Sequence, residues 1–329
     1  MYTETVKSLQ GSKREQWEKL LRSAALEPDA QLESIVLVWE DEDLIATGSR
    51  QGNLLKCIAV DALHQGQDLT STVLSHLRQD AFSRGYSHLF LYTKPQNEWM
   101  FSSLFFYPIA KTDTVLLMEN KRDGINNFLS TLQAESAAGT VGAAVMNCNP
   151  FTKGHRYLIE TAAGECDRLY IFVLSEDKSA FCAADRLEMV RLGTSDLPNV
   201  TVLPTGPYLI SSATFPTYFL KEREKAEQIH CLLDIEIFCK YYVPKFGITR
   251  RYVGTEPLSP MTNQYNDALK AHLPERGIQL REIPRLEQSG TPVSASAVRQ
   301  CMADGDLQTL QTLLPETSWK YMQANGLIK

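Results

Sequence analysis

The chain has 329 residues, enough for two domains on the usual allowance of about 100 to 200 residues each. Its formal net charge of −6 and pI near 5.6 exclude nucleic acid or an anionic membrane as the main partner, so any polyanion must be held in a local pocket. Seven cysteines without a CxxC pair, no basic-then-apolar leader and no apolar run of about 18 residues predict an unexported protein of the reducing cytoplasm.

In chain order, Trp17, Leu20, Leu21 and Ala24 recur at helical spacing and predict a helix over residues 14–26. Residues 33–60 contain β-rich runs broken at Asp41-Glu42-Asp43 and Gln51-Gly52-Asn53, which predicts an antiparallel meander. Leu69, Val73, Leu74, Leu77 and Ala81 mark a second amphipathic helix ending at Gly85. A strand "SHLFLYT", a short helix around "EWMFSSLFF" and a strand "TVLLME" follow. The polar stretch 120–140 reads as a short helix and a connector, with one domain over 1–130 and another over 140–329.

From residue 140 the rhythm changes. Apolar runs "TVGAAVM", "RLYIFVLS", "NVTVLP", "RRYVG" and "IQLREI" alternate with helical stretches, notably 184–193 and 214–240. Strand, helix and strand in repetition predict a doubly wound parallel sheet with right-handed crossovers. The fold class is therefore α/β, an α+β unit followed by a Rossmann-like one.

In open α/β sheets, ligands sit beyond the carboxyl ends of the strands, where helix N-termini offer free N–H groups. "NPFTKGHRYLIE", residues 149–160, occupies such a place after the first parallel strand. Pro150 restricts its backbone, Gly154 admits a phosphate without a Cβ in the way, and Thr152 and His155 share one side of the first turn. A hydroxyl and an imidazole are thus expected to donate to one phosphate; a simple Thr152 helix cap accounts for the same residues. In "TPVSASAVRQCM", residues 291–302, Ser294 and Ser296 open a helix and Arg299 lies one turn on, an array suited to outer phosphates. A Ser cap with a solvated Arg is the plainer alternative. In "SEDKSAFCAADRLEMV", Lys178 and Arg186 flank Phe181 and are expected to reach the same anion, although solvated charges are the commoner fate of Lys and Arg. Three strand ends offering donors weigh more than any one.

Thr152-Lys-Gly154-His155 with Ser294-Ala-Ser296-Ala-Val-Arg299 resembles the T/HxGH and SxSxxR signatures of the adenylyl-transferring nucleotidyltransferases. Lys178-x-x-Phe181-x4-Arg186 is similar to a loop of pantetheine-phosphate adenylyltransferases. The phrases "NCNPFTKGHRYLIE", "LPNVTVLPTGPYLISSATFPTYFLK" and "YVGTEPLSPMTNQYN" resemble the citrate lyase ligase family over about residues 140 to 325. The order helix, meander, helix, strand in front is similar to a GNAT-type acetyltransferase domain, which that family carries.

This resemblance implies an enzyme that uses ATP and acetate to acetylate the phosphopantetheine-type thiol arm of the citrate lyase acyl carrier subunit, releasing AMP and pyrophosphate. It implies His155, Thr152, Arg299 and Lys178 as catalytic residues. Asn149, Pro150, Phe151, Gly154, Arg186, Ser294 and Ser296 would bind the nucleotide, with Gly254, Thr255 and Glu256 bordering the adenosine. Mg²⁺ is expected to travel with the phosphates and no dedicated metal cluster is expected. An adenylyltransferase acting on a soluble phosphate such as phosphopantetheine, and a non-enzymatic carrier-binding regulator, are the competing readings. Where a working GNAT loop has small glycines, "HQGQDLTST" has Asp68 and Thr70, so the first domain is expected to be structural or to dock the partner.

Overall fold

The computed structural model describes residues 1–135, 139–177, 179–210, 215–220, 225–256, 260–288 and 290–328. The chain divides into two compact units, Met1–Ile125 with Phe215–Ile229, and Asn126–Thr214 with His230–Lys329.

The first unit is built on a seven-stranded sheet in the order β1-β2-β3-β4-β5-β7-β6. β1 (Tyr2–Val6), β2 (Ser34–Glu40), β3 (Asp43–Gln51) and β4 (Leu54–Val60) form an antiparallel meander. β4 then pairs in parallel with β5 (Phe90–Thr93), and β6 (Tyr107–Lys111) and β7 (Leu116–Glu119) complete the sheet antiparallel. Helix α1 (Gly11–Ser23) buries Trp17, Leu20 and Leu21. Helix α2 (Leu69–Ser83) buries Leu69, Val73, Leu74, Leu77 and Ala81, the same five positions that recur at helical spacing in the sequence. Short α3 (Glu98–Ser103) precedes β6, and α4 (Gly124–Thr131) follows β7. The expected order of helix, meander, helix and strand is present.

The stretch 214–240, expected to be one helix, is not. Residues 215–220 lack helical structure, and α7 begins only at Ala226. The aromatic rings of this stretch explain why Phe215–Ile229 returns to the first unit. Phe215 meets Tyr92 edge-on at 5.6 Å, Phe219 stacks on Tyr92 at 6.5 Å, and Tyr218 donates its hydroxyl to the Tyr92 carbonyl at 2.6 Å.

The second unit carries a wholly parallel five-stranded sheet in the order β10-β9-β8-β11-β12. The strands are β8 (Val141–Met146), β9 (Arg168–Val173), β10 (Val200–Pro204), β11 (Arg250–Gly254) and β12 (Gln279–Ile283). Helices α5 (Lys153–Gly164), α6 (Ala183–Gly193), α7 (Ala226–Ile237), α8 (Val243–Phe246) and α9 (Pro260–His272) connect them, with a π-helical turn at Phe238–Tyr242 between α7 and α8. A two-residue hairpin, β13 (Glu287–Gln288) and β14 (Thr291–Pro292), leads into α10 (Ala295–Asp304), α11 (Leu307–Leu313) and α12 (Glu316–Ala324). Because β8 has β9 on one side and β11 on the other, the strand order reverses at β8, which opens a crevice at the carboxyl ends of β8 and β11.

Candidate active site

That crevice holds a cavity of about 620 Å³, within the range usual for small-molecule sites. Asn149, Thr152, Gly154 and His155 line it from the β8 turn, Ser294, Ser296 and Arg299 from the start of α10, and Gly254 and Glu256 from the end of β11.

The turn after β8 is tied at both ends. Cys148 takes a left-handed backbone with φ of 50°, and the Asn149–Pro150 peptide is cis. Thr152 caps α5, its Oγ1 accepting from the His155 N–H at 3.4 Å, while the Thr152 N–H donates to His155 Nδ1 at 3.1 Å. Accepting a backbone N–H occupies the Nδ1 lone pair, so the neutral ring carries its proton on Nε2. Burial, reinforced by the charge of Arg285, pushes the imidazole down to about 4, which keeps it neutral at pH 7. The expectation that Thr152 and His155 donate together therefore changes: the Thr152 hydroxyl is engaged within the turn, as the cap and by His155 Nδ1 at 2.9 Å, and the imidazole Nε2–H is the donor the turn leaves over.

Gly154, which lines the cavity, has a second reason besides the one its sequence context suggests. A Cβ there would lie 2.6 Å from the Val293 carbonyl oxygen, so its absence lets the start of α5 close onto the segment that feeds α10. The same two motifs are joined by Arg299, whose Nη1 donates to the Asn149 carbonyl at 2.5 Å and whose Nη2 donates to Ser296 Oγ at 3.2 Å. Ser294 caps α10, accepting from the Ala297 N–H at 3.1 Å. The histidine and arginine motifs, about 140 residues apart in sequence, thus share one cavity.

Four expected residues stand elsewhere. Arg186 is fully buried and does not line the cavity. Its Nε donates to the Phe181 carbonyl at 3.1 Å, and its Nη1 donates to Leu174 O, Asn147 O and Asn147 Oδ1 at 2.8, 2.8 and 2.7 Å. Nη2 donates to the Glu176 carbonyl. With its donors on carbonyls, Arg186 staples the ends of β8 and β9 and is not poised to meet an anion; burial lowers its pKa. Phe151 is wholly buried against Gly193, where an added Cβ would come within 2.3 Å of the ring, and Pro150 is buried beside it in sequence. Thr255 does not line the cavity, its Oγ1 accepting from the Arg285 N–H at 3.2 Å. Lys178 lies outside the described residues.

Sequence reasoning passed over Arg251, Tyr265, Asn266 and Arg285, all of which line the cavity. Arg285 follows the end of β12, donates Nε to the Thr255 carbonyl at 2.8 Å and pairs with Glu256. The rule that sites gather at strand ends points to it. Asn266 Nδ2 holds the Gly254 carbonyl at 2.9 Å, and Tyr265 donates its hydroxyl to Asp234 at 2.5 Å. Among the described residues no group of three or more His, Cys, Asp or Glu side chains is placed to hold a metal ion.

Residues 141–322 match the model of the citrate lyase ligase C-terminal domain. The [citrate [pro-3S]-lyase] ligase of Klebsiella pneumoniae is 40% identical over 316 residues, 94% of this chain and 92% of that protein. The ligase of the same name from Escherichia coli K12 is 38% identical over 325 residues, 97% of this chain and 92% of its own length. That of Haemophilus influenzae is 36% identical, covering 93% and 94%.

Proposed function

The chain belongs to the citrate lyase ligase family, and we propose from that membership and from its cavity how it carries out an acid–thiol ligation. It activates citrate lyase by ATP-dependent acetylation. The observation that carries the detailed reading is the convergence of His155 and Arg299 on one cavity at the β8–β11 switch point.

In the proposed first half-reaction, an acetate oxygen attacks the α-phosphorus of ATP in line and pyrophosphate leaves, giving acetyl-AMP. Negative charge spreads over the α-phosphoryl oxygens and the departing pyrophosphate, so fixed donors matter most. His155 Nε2–H serves the α-phosphoryl oxygens as a neutral donor, with no proton lost or gained. Free N–H groups of the first turns of α5 and α10 and the fork of Arg299 hold the β- and γ-phosphates, with Ser296 beside them. Gly254 and Glu256 border the adenosine. Lys178 remains assigned to the transferring group on sequence grounds. In the second half-reaction the thiol of the citrate lyase acyl carrier subunit attacks the acetyl carbonyl and AMP leaves, its proton passing to solvent. Mg²⁺ would accompany the triphosphate and neutralise its charge, with few ligands from the protein.

The seven cysteines are free, which suits a reducing compartment, and no helix among the described residues is long and apolar enough to cross a membrane. We place the reaction in the cytoplasm on the first of these.

Isotope exchange between pyrophosphate and ATP tests the reading. Exchange that requires acetate is expected, with AMP and not an adenylylated product appearing once the thiol carrier is added. Exchange indifferent to acetate would sink it.

A further inference from the structure

Four arginines lie in or beside the cavity, and three have their work visible. Arg186 is bound to carbonyls, Arg285 to Glu256 and Thr255, and Arg299 to Asn149 and Ser296. Arg251 differs. It is 2% exposed, lines the cavity, and its Nε and Nη1 have no hydrogen-bond partner among the described residues. Its guanidinium lies over the ring of Phe238, 4.4 Å from the centroid, in the π-helical turn after α7. The ring covers one face of the cation and leaves the edges, which carry the N–H donors, to be met by something else. Asp234, a buried carboxylate nearby, accepts from the Tyr265 hydroxyl at 2.5 Å and forms no ion pair with Arg251.

A buried cation with unsatisfied donors costs free energy that an apolar side chain of similar size would not. It is retained at such a place when a ligand completes it. The ligand must be an anion with planar, closely spaced oxygens to match the guanidinium fork, and small enough to share the cavity with a nucleotide. A short carboxylic acid meets each requirement.

We propose that Arg251 is the residue that recognises the carboxylate of the acid to be activated, at a subsite on the β11 side of the cavity bordered by Tyr265, with Phe238 backing the guanidinium. This rests on the reading of the cavity as an acid-activating site. Arg251 holds the carboxylate by its charge and fork, and the phosphates remain with α5 and α10. The bond made and the group lost are those of the first half-reaction above; Arg251 gives and takes no proton.

The test compares the wild type with Arg251→Met and Arg251→Lys, using pyrophosphate–ATP exchange at varied acetate and varied ATP. Acetate-dependent exchange in the wild type tests the underlying reading by itself, so its absence condemns that reading and not this residue. Given that exchange, Arg251→Met is expected to raise the KM for acetate about 100-fold and leave the KM for ATP within about twofold. Arg251→Lys should fall between, because it keeps the charge without the fork. Thermal unfolding supplies a readout that a structural role would move the other way: Arg251→Met should unfold at the same or a higher temperature than the wild type, and only the wild type should be stabilised by acetate. An unchanged acetate KM, an equal rise in both KM values, or a rise confined to the thiol carrier in the complete reaction would each overturn the assignment. The last would place a phosphate of the carrier's arm at Arg251 instead. A large fall in unfolding temperature in both variants would make the residue structural and would overturn it equally.

Discussion

Each unit holds a cavity, and the two are almost the same size, about 620 Å³ in the second and about 660 Å³ in the first. Their walls differ. In the second, a neutral imidazole, three arginines and the starts of two helices face the space. In the first, the start of α2 carries Asp68, which has a left-handed backbone (φ 54°), makes no side-chain cap and sets a negative charge where an anion would seek free N–H groups. His64 there is already paired with Asp61 and Glu40, at 3.0 and 3.1 Å. Volume alone does not make a phosphate site; the sign of the charge at the helix start decides it.

The sharpest way to break this contrast is to remove the neutral donor. His155→Ala is expected to slow acetate-dependent pyrophosphate–ATP exchange by about 100- to 1,000-fold. Circular dichroism should show the fold retained. Next in size, Arg299→Ala removes the link from α10 to the Asn149 carbonyl and a phosphate donor together, and should weaken ATP binding by about 30-fold on calorimetry. Gly154→Ala forces a methyl group against the Val293 carbonyl; a loss of about 1 to 3 kcal/mol in denaturant unfolding is expected, together with weaker ATP binding. If instead the variant binds ATP as the wild type does, the close approach of the two motifs is not what shapes the site.

The pH dependence comes from His155. Its pKa is depressed from 6.5 to about 4 in the folded state, so between these values the unfolded chain binds a proton that the folded one refuses. This contribution to stability is complete above about 6.5 and is lost as pH falls toward about 4. In His155→Asn that part of the acid loss should vanish from urea titrations. The smallest effect belongs to the first unit, where Asp68→Asn should leave exchange within about twofold of the wild type, since nothing in that cavity is asked to bind the triphosphate.

Much of this was open to a reader of the sequence. The five buried positions of α2 repeat at helical spacing, and the parallel strands stand out as apolar runs between helices. The paired motifs around His155 and Arg299 were legible because helix starts and strand ends have local signatures. What stayed hidden depended on long-range geometry. Arg186 looks in sequence like an anion ligand, and only its five carbonyl and amide oxygen partners reveal a staple. Gly154 reads as a phosphate glycine, and its packing against Val293, far along the chain, could not be read beside that. Arg251 did leave a trace, a charged residue within a strand of a parallel sheet, although "RRYVG" reads more easily as a strand that begins with two solvated cations. The rings of Phe215, Tyr218 and Phe219 gave no hint that their partner is Tyr92.

That last pairing bears on how the gene can be cut. The polypeptide leaves the first unit near residue 125, comes back for 215–229 and departs again, so no single splice separates one from the other. A shortened product ending near residue 125 would lack the aromatic cover of Tyr92 and expose apolar rings to self-association. Shuffling either half between homologues therefore requires three junctions, one near residue 125 and one on each side of the returning loop, chosen together.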